Sequence, residues 1–348
     1  MKRISKEKII EEIENTSLKD LGKRAYSVKK ELHSDNITTF VIDRNINYTN
    51  ICWVDCKFCA FKRRINEEDA YILSFDEIDK KIDELIEIGG TQILFQGGVH
   101  PTLQLEWYES LVSHIHKKYP DITIHGFSAI EIDYIAKISK CSIKETLQAL
   151  KNAGLSSIPG AGAEILNDRI RDIIAPKKLD SKEWINVHRE AHYLDIKTTA
   201  TMMFGSVEET KDVVEHFNLI RDLQDETNGF RAFILWSFQP DNTPLKREFP
   251  HLQKASSNRY LRLLAASRIY LDNFKNIQSS WVTQGSYVGQ LALSFGANDL
   301  GSTMMEENVV ASAGARNSMN TNEMIKVIRD AGEIPAIRDT AYNILKMC

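Results

Sequence analysis

Cysteine is scarce in this chain, at five among 348 residues. A small, odd number builds no paired framework, so a secreted, disulfide-stapled scaffold is not expected and a reducing cytoplasm is. Proline is sparse too, at eight, and no Pro/Gly/Ser linker or low-complexity tract interrupts the chain. No run of about 18 apolar residues occurs, which argues against a membrane span. The opening MKRISKEKIIEEI is charged and amphipathic and lacks the continuous apolar segment of a signal peptide. Basic residues are not in excess. Lys and Arg number 44 against 48 Asp and Glu, for a net charge of −4, so nothing points to a nucleic-acid partner. A phosphate-cradling Gly-rich loop is also missing.

What is present is alternation. Hydrophobic residues make up 43% of the chain, enough for a sizeable core. The first 35 residues read as two charged helices, over about 5–15 and 17–32. Apolar, β-rich runs then alternate with helical patterns: TTFVIDRNI (38–46), TQILFQG (91–97), ITIHGFS (122–128), LSSIPGAG (155–162), KTTATMMFG (197–205) and FRAFILWSF (230–238). NIQSSWV (276–282) and LSFGAN (293–298) are weaker. Ser74, Ser142, Ser206 and Ser256 are candidate N-caps of the intervening helices. Such alternation predicts an α/β fold with a parallel sheet. Six strong βα units and two weaker ones suit a (β/α) TIM-type barrel with N-terminal helices. A doubly wound open sheet is the alternative. The expected division is a helical extension over 1–35 and a barrel, with its C-terminal segment, over 36–348.

Three of the five cysteines, Cys52, Cys56 and Cys59, fall within eight residues as C-x₃-C-x₂-C, just after the first strand. Loops at that end of a barrel build active sites. Structural zinc wants four ligands, usually as two paired knuckles, and no second C-x₂-C follows. Cys141 stands alone before a helix and Cys348 is the last residue. Soft thiolates otherwise favour iron–sulfur clusters, normally held by four cysteines. Three thiolates on a [4Fe–4S] cube leave one iron open, which is a catalytic feature. A zinc site in a binding protein, or a redox thiol set, is the rival reading.

At these residues the chain resembles the radical S-adenosylmethionine (SAM) enzymes. Asn47, Thr49, Asn50 and the stretch KFCAF (57–61) are similar to the branch that makes futalosine-derived menaquinone precursors and deazaflavins. So are GGTQILFQGGVHP (89–101), HGFSAIEI (125–132), IPGAGAEIL (158–166), TTATMMFGSVEE (198–209), FILWSFQPDNTPL (233–245) and SFGANDLGSTMMEENVVASAGA (294–315). Within that branch the later blocks most resemble the cyclases that act on dehypoxanthine futalosine. Lys62 and Thr102 depart from the pattern, where an aromatic residue and an aspartate are expected.

The resemblance implies a [4Fe–4S] cluster on Cys52, Cys56 and Cys59, SAM on the open iron, and a 5′-deoxyadenosyl radical as hydrogen acceptor. The implied reaction removes hydrogen from the ribose C4′ and joins that carbon to the substrate's benzoate ring. The electron source would be a flavodoxin or ferredoxin. By position, Phe58 would border the adenine, and Gln96, Gly97 and Gly98 the SAM amino group. Glu164 could accept from a ribose diol, with a helix N-cap as its plain alternative. Met203 could border the adenine, although core packing explains it as well. Asp299 is the leading candidate for a general base or ribose contact, with a turn as alternative. Glu306 and His125 are further catalytic candidates, the first also explicable as a helix cap, the second as a hydrogen-bonded barrel histidine. Gln239, Asn242 and Thr243 suit either a substrate contact or a turn. A substrate carboxylate wants an arginine fork; Arg231, Arg316 and Arg338 are unranked candidates.

Overall fold

The computed structural model describes residues 3–315 and 317–348, so Arg316 lies outside the described residues. Ten strands are present among them: β1 (Ile37–Val41), β2 (Asp43–Ile46), β3 (Gln92–Phe95), β4 (Thr123–Gly126), β5 (Thr198–Phe204), β6 (Phe230–Ser237), β7 (Asn276–Gln278), β8 (Asp299–Ser302), β9 (Ile334–Arg338) and β10 (Ile344–Met347). One sheet has the order β10-β9-β1-β8-β7-β6-β5 and the other β2-β3-β4. Every pairing is parallel except β9 with β10. Helices lie between the strands, and residues such as Phe40, Ile93, Ile124 and Ala200 are fully buried. That is the burial parallel strands demand.

Two joins make a (β/α) barrel of these sheets. β1 and β2 are one chain segment that changes partners at Ile42: β1 pairs with β8 and β9, β2 with β3. On the far side, residues 156–158 bridge β4 to β5. Ser156 N donates to Ile124 O (3.0 Å), Gly126 N to Ser157 O (2.9 Å), Ile158 N to Lys197 O (3.3 Å) and Thr199 N to Ile158 O (3.0 Å).

Several expected elements differ in detail. LSSIPGAG forms these single bridges rather than a strand, because Pro159 lacks an N–H and Gly160 lies against the β5 backbone. TTFVIDRNI divides at Ile42. Only Asn276–Gln278 of NIQSSWV is strand, and Trp281 begins a short helix. LSFGAN is a helix end and turn, with the strand following at Asp299. Ser74, Ser142 and Ser256 cap their helices, but Ser206 binds Glu208 instead, and Glu209 stands at the N-cap position. β9 and β10 carry no strong strand signal; Pro335 sits inside β9.

The N-terminal helices, Lys6–Asn15 and Leu18–Leu32, pack on helices Thr210–Thr227 and Ser257–Tyr270. Arg262 fastens them by donating to the carbonyls of Ile13 (3.0 Å) and Thr16 (2.6 Å).

A buried ion pair ties β9 to the barrel. Arg338 of β9 donates through Nε (2.6 Å) and Nη2 (3.0 Å) to the two oxygens of Asp299 on β8. Thr39 Oγ1 (2.6 Å) and Gly301 N (2.9 Å) also donate to that carboxylate. Three strands thus meet at one side chain. Asp299→Ala should lower stability by about 3–5 kcal/mol, because it strands a buried guanidinium. A urea unfolding midpoint unchanged from wild type would show that the pair carries no stability.

Candidate active site

The barrel encloses a cavity of about 400 Å³, and Cys52, Cys56 and Cys59 all line it. Their loop is pinned by backbone hydrogen bonds to four other segments. Cys52 N donates to Arg63 O (2.9 Å), Trp53 N to Val99 O (3.1 Å), Lys57 N to Ile174 O (2.8 Å), and Leu245 N to Lys57 O (2.8 Å). Asp55 adopts φ +65°. Its carboxylate pairs with Lys62 and with Arg64 at 2.8 Å. This gives Lys62, unexpected by resemblance, a local role in holding the loop. Gly98 is required for close approach: a Cβ there would lie 2.3 Å from the Ile51 carbonyl oxygen.

All five cysteines are free thiols. Cys141, whose thiol faces the Ser139 carbonyl, and Cys348 do not line the cavity. Burial pushes the Cys56 thiol up to about 12 and raises Cys59 as well. Among the described residues no three His, Cys, Asp or Glu side chains converge at single-ion spacing. A cube's ligands each bind a different iron and need not converge on one point.

Phe58, Gln96, Gly97, Glu164 and His125 also line the cavity. Lys178 Nζ lies 5.4 Å from the Phe58 ring centroid and donates to Glu164 Oε1 at 2.9 Å. Glu164 Oε2 is buried with no hydrogen-bond partner among the described residues. Gly97 N donates to Glu131 Oε1 at 3.1 Å. His125 shares a 2.7 Å hydrogen bond with Ser157 Oγ. Burial, aided by Arg231 and Arg338, drives its pKa down to about 3, so the imidazole is neutral.

Other candidates lie elsewhere. Met203 is 1% exposed and behind the wall, where its N–H donates to the Glu164 carbonyl at 2.7 Å. Gly98 backs the cysteine loop rather than lining the cavity. Asp299 does not face the cavity, because Arg338, Thr39 and Gly301 N occupy its oxygens. Glu306 lies beside a separate cleft, held by Lys81 (2.7 Å) and Arg44 (2.8 Å). Thr243 and Gln239 bond within their own turn, to the Pro240 and Ser237 carbonyls, and Asn242 reaches the Ser312 carbonyl. Arg338 and Arg231 both line the cavity. Arg338 holds Asp299, whereas Arg231 reaches the Thr340 carbonyl at 3.3 Å.

Sequence reasoning passed over three ionisable cavity side chains, Asp43, Glu131 and Lys178, and read Glu307 as a cap, as its bonds to the Val309 and Val310 N–H groups bear out. The S-x-x-E of Ser128 and Glu131 was a legible capping box. The others carry no motif.

A parallel barrel whose first loop presents three free thiols to an inner cavity defines an enzyme of radical SAM type. Two family models match the chain, "Radical SAM superfamily" over residues 46–220 and "CofH/MqnC C-terminal region" over residues 227–348. The chain belongs to the radical SAM superfamily, whose members work with a [4Fe–4S] cluster and SAM, and it carries the CofH/MqnC C-terminal region. Cyclic dehypoxanthine futalosine synthases of Halalkalibacterium halodurans and Streptomyces coelicolor are each 43% identical to it, over 99% of this chain and 92% and 86% of theirs. The 5-amino-6-(D-ribitylamino)uracil--L-tyrosine 4-hydroxyphenyl transferase of Methanocaldococcus jannaschii is 42% identical over 99% of this chain and 98% of its own. Among solved structures, methylornithine synthase (PylB) superposes with a TM-score of 0.75 at 16% identity, covering 96% of this chain and 94% of that one. The fold is thus a radical SAM barrel, and no helix of the described residues is long and apolar enough to cross a membrane.

In the metal-free protein kept anaerobic, iodoacetamide at pH 8 should modify Cys348 well before Cys56. With its pKa near 12, Cys56 is thiolate in only about one molecule in 10⁴ at that pH. Equal labelling rates by mass spectrometry would contradict this account of the loop.

Proposed function

We propose that the chain is a radical cyclase that converts dehypoxanthine futalosine to its cyclic form, a step toward menaquinone. The observation that carries the reading is the gathering of Cys52, Cys56 and Cys59 on one barrel cavity that Cys141 and Cys348 do not reach. The two 43%-identical cyclases support the particular reaction.

The residues present fit the implied cofactors. Three soft sulfurs would bind a cluster as thiolates, its positive charge offsetting the burial that raises Cys56 and Cys59. Glu164 Oε2, with Arg171 Nη1 3.9 Å away and no hydrogen-bond partner among the described residues, is available to a ribose hydroxyl, while Lys178 fixes the other oxygen. When bound, cluster and SAM supply one-electron chemistry that removes a hydrogen atom from an unactivated C–H bond.

The chain's own residues orient and shield. Phe58 gives an apolar face for the adenine, and Gln96 with Gly97 gives backbone for the amino group. Neutral His125 offers a hydrogen bond without introducing charge. The Arg231 guanidinium is available to the benzoate carboxylate. Holding sugar against arene in the barrel cavity contributes about 7–11 kcal/mol when alignment is good. A flavodoxin or ferredoxin would deliver the electron, and free thiols suit a cytoplasmic setting.

The transferase of Methanocaldococcus jannaschii, at 42% identity, motivates a second reading, joining a tyrosine-derived aryl group to a ribitylaminouracil. One assay separates the two. Anaerobically reconstituted protein should carry about four irons per chain and, with SAM and reductant, cyclise dehypoxanthine futalosine with release of 5′-deoxyadenosine. Cys52→Ala, Cys56→Ala or Cys59→Ala should abolish both, while Cys141→Ala and Cys348→Ala leave them intact. Turnover of ribitylaminouracil and tyrosine in its place would reassign the enzyme, and a colourless protein with one zinc would end both readings.

A further inference from the structure

We propose that Asp43 is the proton acceptor of the reaction, taking the ring proton lost after the new carbon–carbon bond has formed. This rests on the cyclase reading above. Asp43 opens β2, lines the cavity that holds the three thiols, and is 3% exposed. Its Oδ2 accepts from Gln92 Nε2 at 3.0 Å, and Gln92 Oε1 accepts in turn from Thr340 Oγ1 at 2.6 Å. That chain fixes the carboxyl's orientation. Its Oδ1 is buried and by distance and angle has no hydrogen-bond partner among the described residues, while the Ser302 hydroxyl and the Met304 N–H lie close enough to favour the charged form. A buried carboxyl oxygen left without a hydrogen bond is costly and calls for an explanation; a group that completes it during turnover supplies one.

The other acids near the cavity are committed. Asp299 accepts from Arg338, Thr39 and Gly301 N, and Glu306 pairs with Lys81 and Arg44. Glu307 caps the N–H groups of Val309 (2.6 Å) and Val310 (2.8 Å). Glu131 bonds Tyr48, Ser128 and Gly97 N. Glu164 keeps an open oxygen too, but is ion-paired with Lys178.

Burial pushes Asp43 up to about 6, with Ser302, Gln92 and Arg338 opposing the rise. The charged and titratable groups around it are Arg338 of β9 with its partner Asp299 of β8, Glu307 after β8, and neutral His125 of β4. Such a carboxyl is ionised at neutral pH yet more basic than an ordinary aspartate, as a general base should be.

The step balances as follows. The C4′ hydrogen leaves as an atom and ends in 5′-deoxyadenosine. C4′ then bonds to a benzoate ring carbon, and aromaticity is lost. Its recovery breaks that carbon's C–H bond. The proton passes to Asp43, the bonding pair returns to the ring, and the one surplus electron leaves to an acceptor of the iron–sulfur or flavin class.

Wild-type and Asp43→Asn proteins, reconstituted and supplied with dehypoxanthine futalosine, SAM and dithionite, test this by counting cyclic product and 5′-deoxyadenosine. Asp43→Asn should still form 5′-deoxyadenosine, while product per deoxyadenosine falls about 10²-fold or more; Asp43→Glu should recover part of it. In the wild type that ratio should fall as pH drops through about 6, because a protonated carboxyl cannot accept. An Asp43→Asn ratio equal to wild type overturns the proposal. So does joint loss of both products while calorimetry shows the metal-free variant still binding dehypoxanthine futalosine, which would place Asp43 before ring closure. If Asp43→Asn does not fold, a wild-type ratio flat between pH 5 and 8 overturns it. A wild type that cleaves SAM but forms no ring sinks the cyclase reading itself, whereas a wild type that forms the ring leaves Asp43 to be judged alone.

Discussion

Burial of ionisable groups inside the barrel is the constraint on which the rest depends. Burial moves three titratable groups there toward their neutral forms: the Cys56 thiol up to about 12, Asp43 up to about 6 and His125 down to about 3. The same low-dielectric interior strengthens any charge that is properly met and penalises one that is not. Thiols in such a place are inert until a cation arrives, and a reactive carbon radical generated there is kept from solvent.

The buried wall is built from two economies of backbone. The partner change at Ile42 lets one segment serve both sheets, and it places Asp43 on the inner wall immediately beyond the break. Single bridges at Ser157 and Ile158 join the sheets on the other side. The C-terminal segment then contributes Arg338, Thr340 and Tyr342 to the cavity wall. The Arg338 guanidinium stacks 3.8 Å from the Tyr342 ring centroid while it holds Asp299. The cysteines fall in the superfamily span and this wall in the C-terminal region, while Asp43 precedes both matched spans.

Much of this was legible in the sequence. The cysteine spacing, the alternation of strand and helix, and the serine caps at 74, 142 and 256 are local signals, and each fixes a local outcome. Some failures were local, as at Ser206 and LSFGAN; the ones that matter for the site concern non-local pairing. Nothing in LSSIPGAG tells that it will form two bridges rather than a ladder, since that depends on the distance between β4 and β5. Asp299 stands in a turn-rich stretch and invited a catalytic role, but its partner is 39 residues away on β9. Asp43 lies inside an apolar strand run, where a single acid reads as an exposed edge. Only the assembled barrel shows it buried with one oxygen open.

The central claim is that three cysteines grip an iron–sulfur cube whose fourth iron is left for SAM. Electron paramagnetic resonance of the dithionite-reduced, reconstituted protein tests it most directly. The account predicts a [4Fe–4S]⁺ signal whose g-values shift when SAM is added, since SAM binds an iron that no side chain holds. A signal indifferent to SAM, or one altered by Cys141→Ala or Cys348→Ala, would mean that the fourth position is already filled.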